Sequence, residues 1–148
     1  MIIESSEFLN NQKIPSRYTC NGANISPPLS FAEIPPGTES LVLIVEDLDA
    51  TNGTWVHWLV WDINSQTAEV QEDSVPDDGT EGTTSFGTTG YGGPCPSSGT
   101  HHYIFKLFAM DTLLGLTSEA QKDELLSVME GHIIGEADPL VGLYSREN

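Results

Sequence analysis

Basic residues are scarce in this chain. Five Lys and Arg stand against 22 Asp and Glu among 148 residues, a formal net charge of −17. That shortage removes the basic patch needed to neutralise nucleic-acid phosphates. It equally removes charge-driven docking on anionic membrane surfaces. Long apolar runs are missing too, so no segment is expected to be an integral membrane span. The start, Met1-Ile2-Ile3-Glu4-Ser5, lacks a basic segment and an apolar signal core, and a cytoplasmic location is the default expectation. Cysteine is limited to Cys20 and Cys95, far apart and in no clustered metal-binding pattern. In a cytoplasmic protein two reduced thiols are expected.

The acids are dispersed from Glu4 to Glu147 with apolar runs between them. This excludes a disordered acidic tail and describes a folded core in an acidic coat. Such a coat suits very high salt, where its self-repulsion is screened. The length suggests one domain over 1–148, large enough to build a core without staples.

Turn signals crowd the first third: Asn21-Gly22, Pro27-Pro28 and Pro35-Pro36-Gly37. The runs Leu41–Val45 and Val56–Val60 are too short for helices and apolar on both faces, which predicts central strands. Asn52-Gly53 lies between them, so residues 40–63 read as an antiparallel pair. Residues 66–99 are rich in Gly, Ser, Thr, Asp and Pro, and a loop of that length is usually functional. A strand is expected over 101–110. A helix follows, with Ser118 and Gln121 at capping-box spacing, a stripe of Leu125, Val128 and Met129, and Gly131 as its stop. The last strand spans 133–144, interrupted at Asp138-Pro139. Many strands and one good helix make the fold mainly β, a sandwich with a peripheral helix.

Several polar groups fall at predicted strand ends. Asp47 has the parity of Leu43 and Val45, and His57 that of Leu59 and Trp61. His101 and Tyr103 share one face while His102 points away. These groups beside a Gly/Pro-rich loop form a candidate pocket mouth for a small anion such as phosphate. Imidazole and phenol groups donate hydrogen bonds, and Gly92 and Gly93 permit close approach of backbone N–H groups. Asp47 suits orienting a histidine or accepting from a ligand ammonium. A histidine alone in an apolar strand, His57 included, reads better as a core residue, and His57, His101, Tyr103 and Asp47 together leave the two readings about even. A zinc site lacks any short ligand pair. A hydrolase using Ser97 or Ser98 with His101 lacks the strand–turn–helix setting of an activated serine.

These residues carry a family resemblance. Asp47-Leu48-Asp49-Ala50 resembles the Asp-Pro-Asp-Ala-Pro motif of the phosphatidylethanolamine-binding, Raf-kinase-inhibitor-like family. Trp55-Val56-His57-Trp58 is similar to its Trp-x-His motif. Gly90-Tyr91-Gly92-Gly93-Pro94-Cys95-Pro96 with Gly99-Thr100-His101-His102-Tyr103 resembles its Gly-x-Pro…His-Arg-Tyr signature. Cys20-Asn21-Gly22 with Ser26-Pro27-Pro28-Leu29 resembles the N-terminal motif, and Glu130–Ile134 through Gly142-Leu143-Tyr144 the compact bacterial and archaeal branch. The resemblance implies an antiparallel β-sandwich with short peripheral helices and a pocket for phosphoryl headgroups or similar anions. It implies ligand contacts from Asp47, His57, Gly93, His101 and Tyr103, supported by Asp49, Trp55 and Pro94. It implies no catalytic residue, cofactor or metal. It further implies a regulatory or inhibitory role without turnover, with a kinase or protease as possible partner and a possible homodimer. The alternatives are a hydrolase of phosphoryl or acyl substrates and a serine-protease inhibitor. It also gathers the loops of Cys20 and Cys95 near the pocket end, where oxidation could join them. Two departures stand out. Leu48 and Thr51 replace motif prolines, which predicts a looser loop. His102 replaces arginine, which predicts a lost or weakened ion pair.

Overall fold

The computed structural model describes residues 1–146. Its strands are β1 (Ile2–Glu4), β2 (Gln12–Lys13), β3 (Leu29–Ala32), β4 (Ser40–Asp47), β5 (Trp55–Asn64), β6 (Glu69–Val70), β7 (Thr80–Glu81), β8 (Thr100–Met110), β9 (Ile133–Glu136) and β10 (Leu140–Ser145). A single α-helix among the described residues, α1, spans Lys122–Met129, and a short 3-10 turn spans Ser16–Tyr18. None of the described helices is long and apolar enough to cross a membrane.

The larger sheet runs β2-β10-β8-β4-β5-β7, with β9 also paired to β8. The smaller runs β1-β3-β6. Pairing is antiparallel except for a two-residue parallel contact of β2 with β10. The small sheet packs on one face of the large one through Ile3, Leu29, Phe31 and Val70 against Leu43, Val45, Val60 and Phe105. On the opposite face Leu125 and Met129 of α1 pack against Val42, Ile44, Leu59 and Trp61. Both faces of β4 are therefore buried, which is why its sequence is continuously apolar instead of alternating. The result is the mainly β sandwich expected, with β4 and β5 as antiparallel neighbours.

The helix departs from expectation at its start. No side chain caps it, and Gln121 occupies the N-cap position. The Ser118 carbonyl instead accepts from the Thr83 hydroxyl, and the Ala120 N–H donates to Thr117. Residues 117–120 thus form a turn anchored to the long loop, and the helix begins after it. Asp123 and Glu124 in the first turn complement the helix dipole. Leu125 and Met129 are buried, whereas Val128 is partly exposed. The apolar stripe is accordingly narrower than the sequence indicates. Gly131, at φ +84°, stops the helix as expected. Asp138-Pro139 divides the final segment into two strands, both paired with β8.

Candidate functional site

A cavity of about 520 Å³ opens at the end of β4, β5 and β8. Asp47, His57, His101 and Tyr103 line it, with Trp55 and Phe86 on one wall and Cys95, Pro96 and Ser97 on another. Asp47 pairs with Tyr103 across the β4–β8 ladder, and alternation along β8 then puts His101 on the same face.

His57 reaches that face by a different route. Regular alternation would leave it with Leu59 and Trp61, on the helix side. The register of β5 against β4 shifts, however: Val45 faces Trp58, and the next residue, Glu46, faces Val56. His57 is the extra residue of a β-bulge, which re-aims its side chain. Its ring now lies edge-on to Tyr103 at 5.2 Å between centroids, and edge-on to Phe86 at 5.3 Å. His101 stacks on Tyr103 at 6.4 Å. The two imidazoles thus flank one phenol.

Each imidazole is held by its Nδ1. That of His101 donates to Asp47 Oδ2 at 2.6 Å, and both residues are buried. That of His57 donates to the Gly92 carbonyl at 2.6 Å. Burial pushes His57 below the usual imidazole range, against the Gly92 carbonyl and the charge of Asp47, which favour its protonated form. Tyr103 is 1% exposed, and its hydroxyl is buried without a hydrogen-bond partner. Burial, and then the charge of Asp47, raises its pKa, so the phenol keeps its proton at neutral pH.

Asp47 and Asp49 form a clasp. The second oxygen of Asp47 accepts from the Asp49 N–H at 2.8 Å, pinning the turn after β4. Asp49 accepts from both the backbone N–H and Nδ1 of His102, each at 2.8 Å. Those bonds, the backbone one first, hold the Asp49 carboxyl below its usual range. Where arginine's ion pair was expected to be lost or weakened, His102 supplies a hydrogen bond, because its backbone is already tied to the same carboxylate.

The glycine loop behaves otherwise than expected. The Gly93 N–H donates to Asn24 Oδ1 at 2.9 Å, and the Gly92 N–H to the His57 carbonyl at 3.0 Å. Neither is free for an oxyanion, and Gly93 does not line the cavity. These positions need glycine for packing. A Cβ at Gly93 would lie 2.4 Å from Asn24 Oδ1 and from the Tyr18 carbonyl, and one at Gly92 would strike the Phe86 ring. Pro94 likewise sits behind the wall, its carbonyl accepting from the Cys20 N–H.

The expectation of two reduced thiols is overturned. Cys20 and Cys95 form a disulfide with Cα atoms 5.4 Å apart across 75 residues of sequence, within the range a disulfide requires. The Cys20–Pro94 backbone bond and the Gly93–Asn24 bond bring the two loops together. Two other features escaped the sequence reading. Phe86 builds the aromatic wall with Trp55, edge-on at 5.5 Å; an apolar aromatic in a polar loop was the available signal. Ser85 accepts from the Val56 N–H and fastens that wall to β5. Among the described residues, no group of three or more His, Cys, Asp or Glu is placed to hold a metal ion.

The fold and site thus define a β-sandwich binding protein with a histidine-lined pocket at the strand ends. Residues 4–145 match the family model of the phosphatidylethanolamine-binding protein. A UPF0098 protein of Methanothermobacter thermautotrophicus is 44% identical, covering 99% of both chains. A Chlamydia trachomatis homologue of the phosphatidylethanolamine-binding protein, solved by crystallography, is 37% identical with a TM-score of 0.94, covering 98% of this chain and 97% of its own. Escherichia coli YbcL, described as a member of the mammalian PEBP family, is 27% identical with a TM-score of 0.90, covering 98% of both. The chain belongs to the phosphatidylethanolamine-binding protein family.

Proposed function

We propose that this protein binds a small phosphate-type oxyanion, free or as a phosphoryl headgroup, and does not turn it over. The supporting observation is the buried, unpartnered Tyr103 hydroxyl between two imidazoles at the wall of the cavity. A hydroxyl buried without a partner costs about 1–3 kcal/mol, and a bound oxygen would recover that loss. The regulatory or inhibitory role, a kinase or protease partner and a homodimer rest on family kinship alone.

Calorimetric titration with methyl phosphate tests the binding. We expect saturable one-site binding near pH 6, at least tenfold weaker (about 1.4 kcal/mol) in His101→Ala. Equal affinity in that variant would place the ligand elsewhere. The hydrolase reading draws on the buried Asp47–His101 pair, which is the half of a catalytic relay that orients a base. Prolonged incubation with phosphate and acyl esters separates the two. Intact esters support a binding protein, and release of alcohol at a rate that falls with His101→Ala would establish the hydrolase.

A further inference from the structure

Hydrogen-bond accounting at the two imidazoles narrows the ligand class, given the pocket assignment proposed above. The partner of His57 Nδ1 is a backbone carbonyl and that of His101 Nδ1 is a carboxylate. Both partners only accept, so each Nδ1 carries the proton. In the neutral rings each Nε2 is then a lone pair. Neither Nε2 has a hydrogen-bond partner among the described residues, and both rings line the cavity. Where the two rings meet, the unliganded pocket therefore offers one side-chain donor, the Tyr103 hydroxyl, and two acceptors, while the hydroxyl and amide groups of Thr51, Asn52, Thr54, Ser85 and Ser97 lie elsewhere on the cavity wall. A fully ionised oxyanion also has only acceptors, and would set lone pairs against lone pairs.

We infer that the pocket takes its oxyanion together with a proton, so that its ligands are hydrogen-bearing oxyanions such as the monoprotonated form of a phosphate or phosphonate monoester. The proton sits between a ligand oxygen and an imidazole Nε2, and either partner can hold it. Below the second ionisation of a phosphate monoester, near pH 6, the ligand supplies it. Above that, solvent must.

The surrounding charges favour one added proton. His57 faces Asp47 from β4, and His101 and Tyr103 from β8. His101 faces Asp47 and Tyr103, with Asp49 beside it and Tyr144 opposite it on β10. The Tyr144 hydroxyl is committed to Asn21 and Ser16. Asp47 is thus the one carboxylate inside the cluster, and it stabilises a proton shared at either ring. The rest of the wall is aromatic or uncharged.

The test uses methyl phosphate, and methyl sulfate as a monoanion of the same shape with no acidic proton. Each is titrated calorimetrically into the full chain from roughly pH 5.5 to 8.5, a span bracketing the phosphate ionisation, in buffers of different ionisation heat. At the upper end we expect uptake of about one proton per methyl phosphate bound. The dissociation constant should rise about tenfold per pH unit above the ligand ionisation. Methyl sulfate should bind at least tenfold more weakly than methyl phosphate at the lower end. In His57→Gln the amide brings its own N–H donors. Proton uptake should drop, and binding at the upper end should exceed that of the parent. Tight binding at high pH with no proton uptake, or methyl sulfate equalling methyl phosphate, would overturn this inference while leaving the binding function standing. Absence of methyl phosphate binding at every pH would overturn both. If His57→Gln fails to fold, proton uptake by the parent chain still decides.

Discussion

Glu46 and Asp47 are consecutive residues of β4, both buried, on opposite faces of the same sheet. Glu46 faces the helix side, is 1% exposed, and takes Lys106 at 2.6 Å and Lys122 at 2.5 Å. Two of the five Lys and Arg residues in the chain are thus committed to one carboxylate. Asp47 faces the cavity and takes a histidine. In the first arrangement both carboxylate oxygens are taken by ammonium groups. In the second, one oxygen accepts from an imidazole and the other from a backbone N–H. The carboxylate that ties α1 and β8 together and the one that faces the cavity are adjacent in sequence, and the pleat keeps them apart. The two sides are closed differently as well. Lys122 of α1 crosses to Glu46 on the back, whereas the Cys20–Cys95 bond ties the cavity rim on the front.

The largest expected effect lies on the back. Lys106→Met with Lys122→Met leaves Glu46 buried and uncompensated, and should cost about 3–5 kcal/mol in chemical denaturation. Methyl phosphate affinity of the folded fraction should stay within about twofold (0.4 kcal/mol). A larger affinity loss would mean that the two faces are coupled. On the front, reducing the disulfide releases a loop of 75 residues, worth about 4 kcal/mol by chain entropy. It should also weaken the ligand, since Cys95 lines the cavity. Unchanged affinity after reduction would make the bond a staple only.

Asp47→Asn sharpens the contrast. The amide keeps one acceptor where the carboxylate served both His101 and the Asp49 N–H. Stability should fall by about 1–3 kcal/mol, and ligand affinity by at least tenfold (about 1.4 kcal/mol). An affinity loss no greater than that of the double lysine variant would erase the distinction drawn between the two carboxylates.

Acid titration should separate the faces in two steps. His57 is held below its unfolded value near 6.5. The unfolded chain therefore takes up that proton first, and stability erodes as pH falls below 6.5. For Glu46, burial raises the carboxyl, but the hydrogen bonds of Lys106 and Lys122 together hold it below its ordinary 4.5. Its contribution is full above that value and is lost as pH falls through the lower folded value. His57→Gln should remove the upper step alone. The smallest effect per residue belongs to the acidic surface, where screening shortens from about 8 Å at physiological ionic strength to about 3 Å near 1 M salt. Melting temperature by circular dichroism should rise across that range. A flat salt series would give the coat another cause.

The central strands were legible because burial on both faces leaves an unbroken apolar run at Leu41–Val45 and one broken only by His57 at Val56–Val60. The final segment was legible as a strand interrupted at Asp138-Pro139, but that both halves pair with β8 was not, because a partner strand is a long-range choice. The helix start was misread because Ser118 has the right spacing, and its carbonyl is claimed by a loop residue 35 positions away.

By itself the sequence determined the order of strands and turns, the acidic surface, and the shared face of His101 and Tyr103, which Asp47 joins through the register of β4 against β8. Period-two alternation is local, and nothing interrupts it on that stretch of β8. Tertiary structure alone decided the rest. A bulge brought His57 to the pocket face, because ladder register depends on the partner strand. Asn24 claimed the Gly93 N–H, because a backbone donor goes to whichever acceptor the fold brings within reach. Cys20 met Cys95, and two lysines met Glu46, through contacts spanning 60 to 76 residues of chain. Such pairings depend on distances in space, and these appear only when the sheets close on each other.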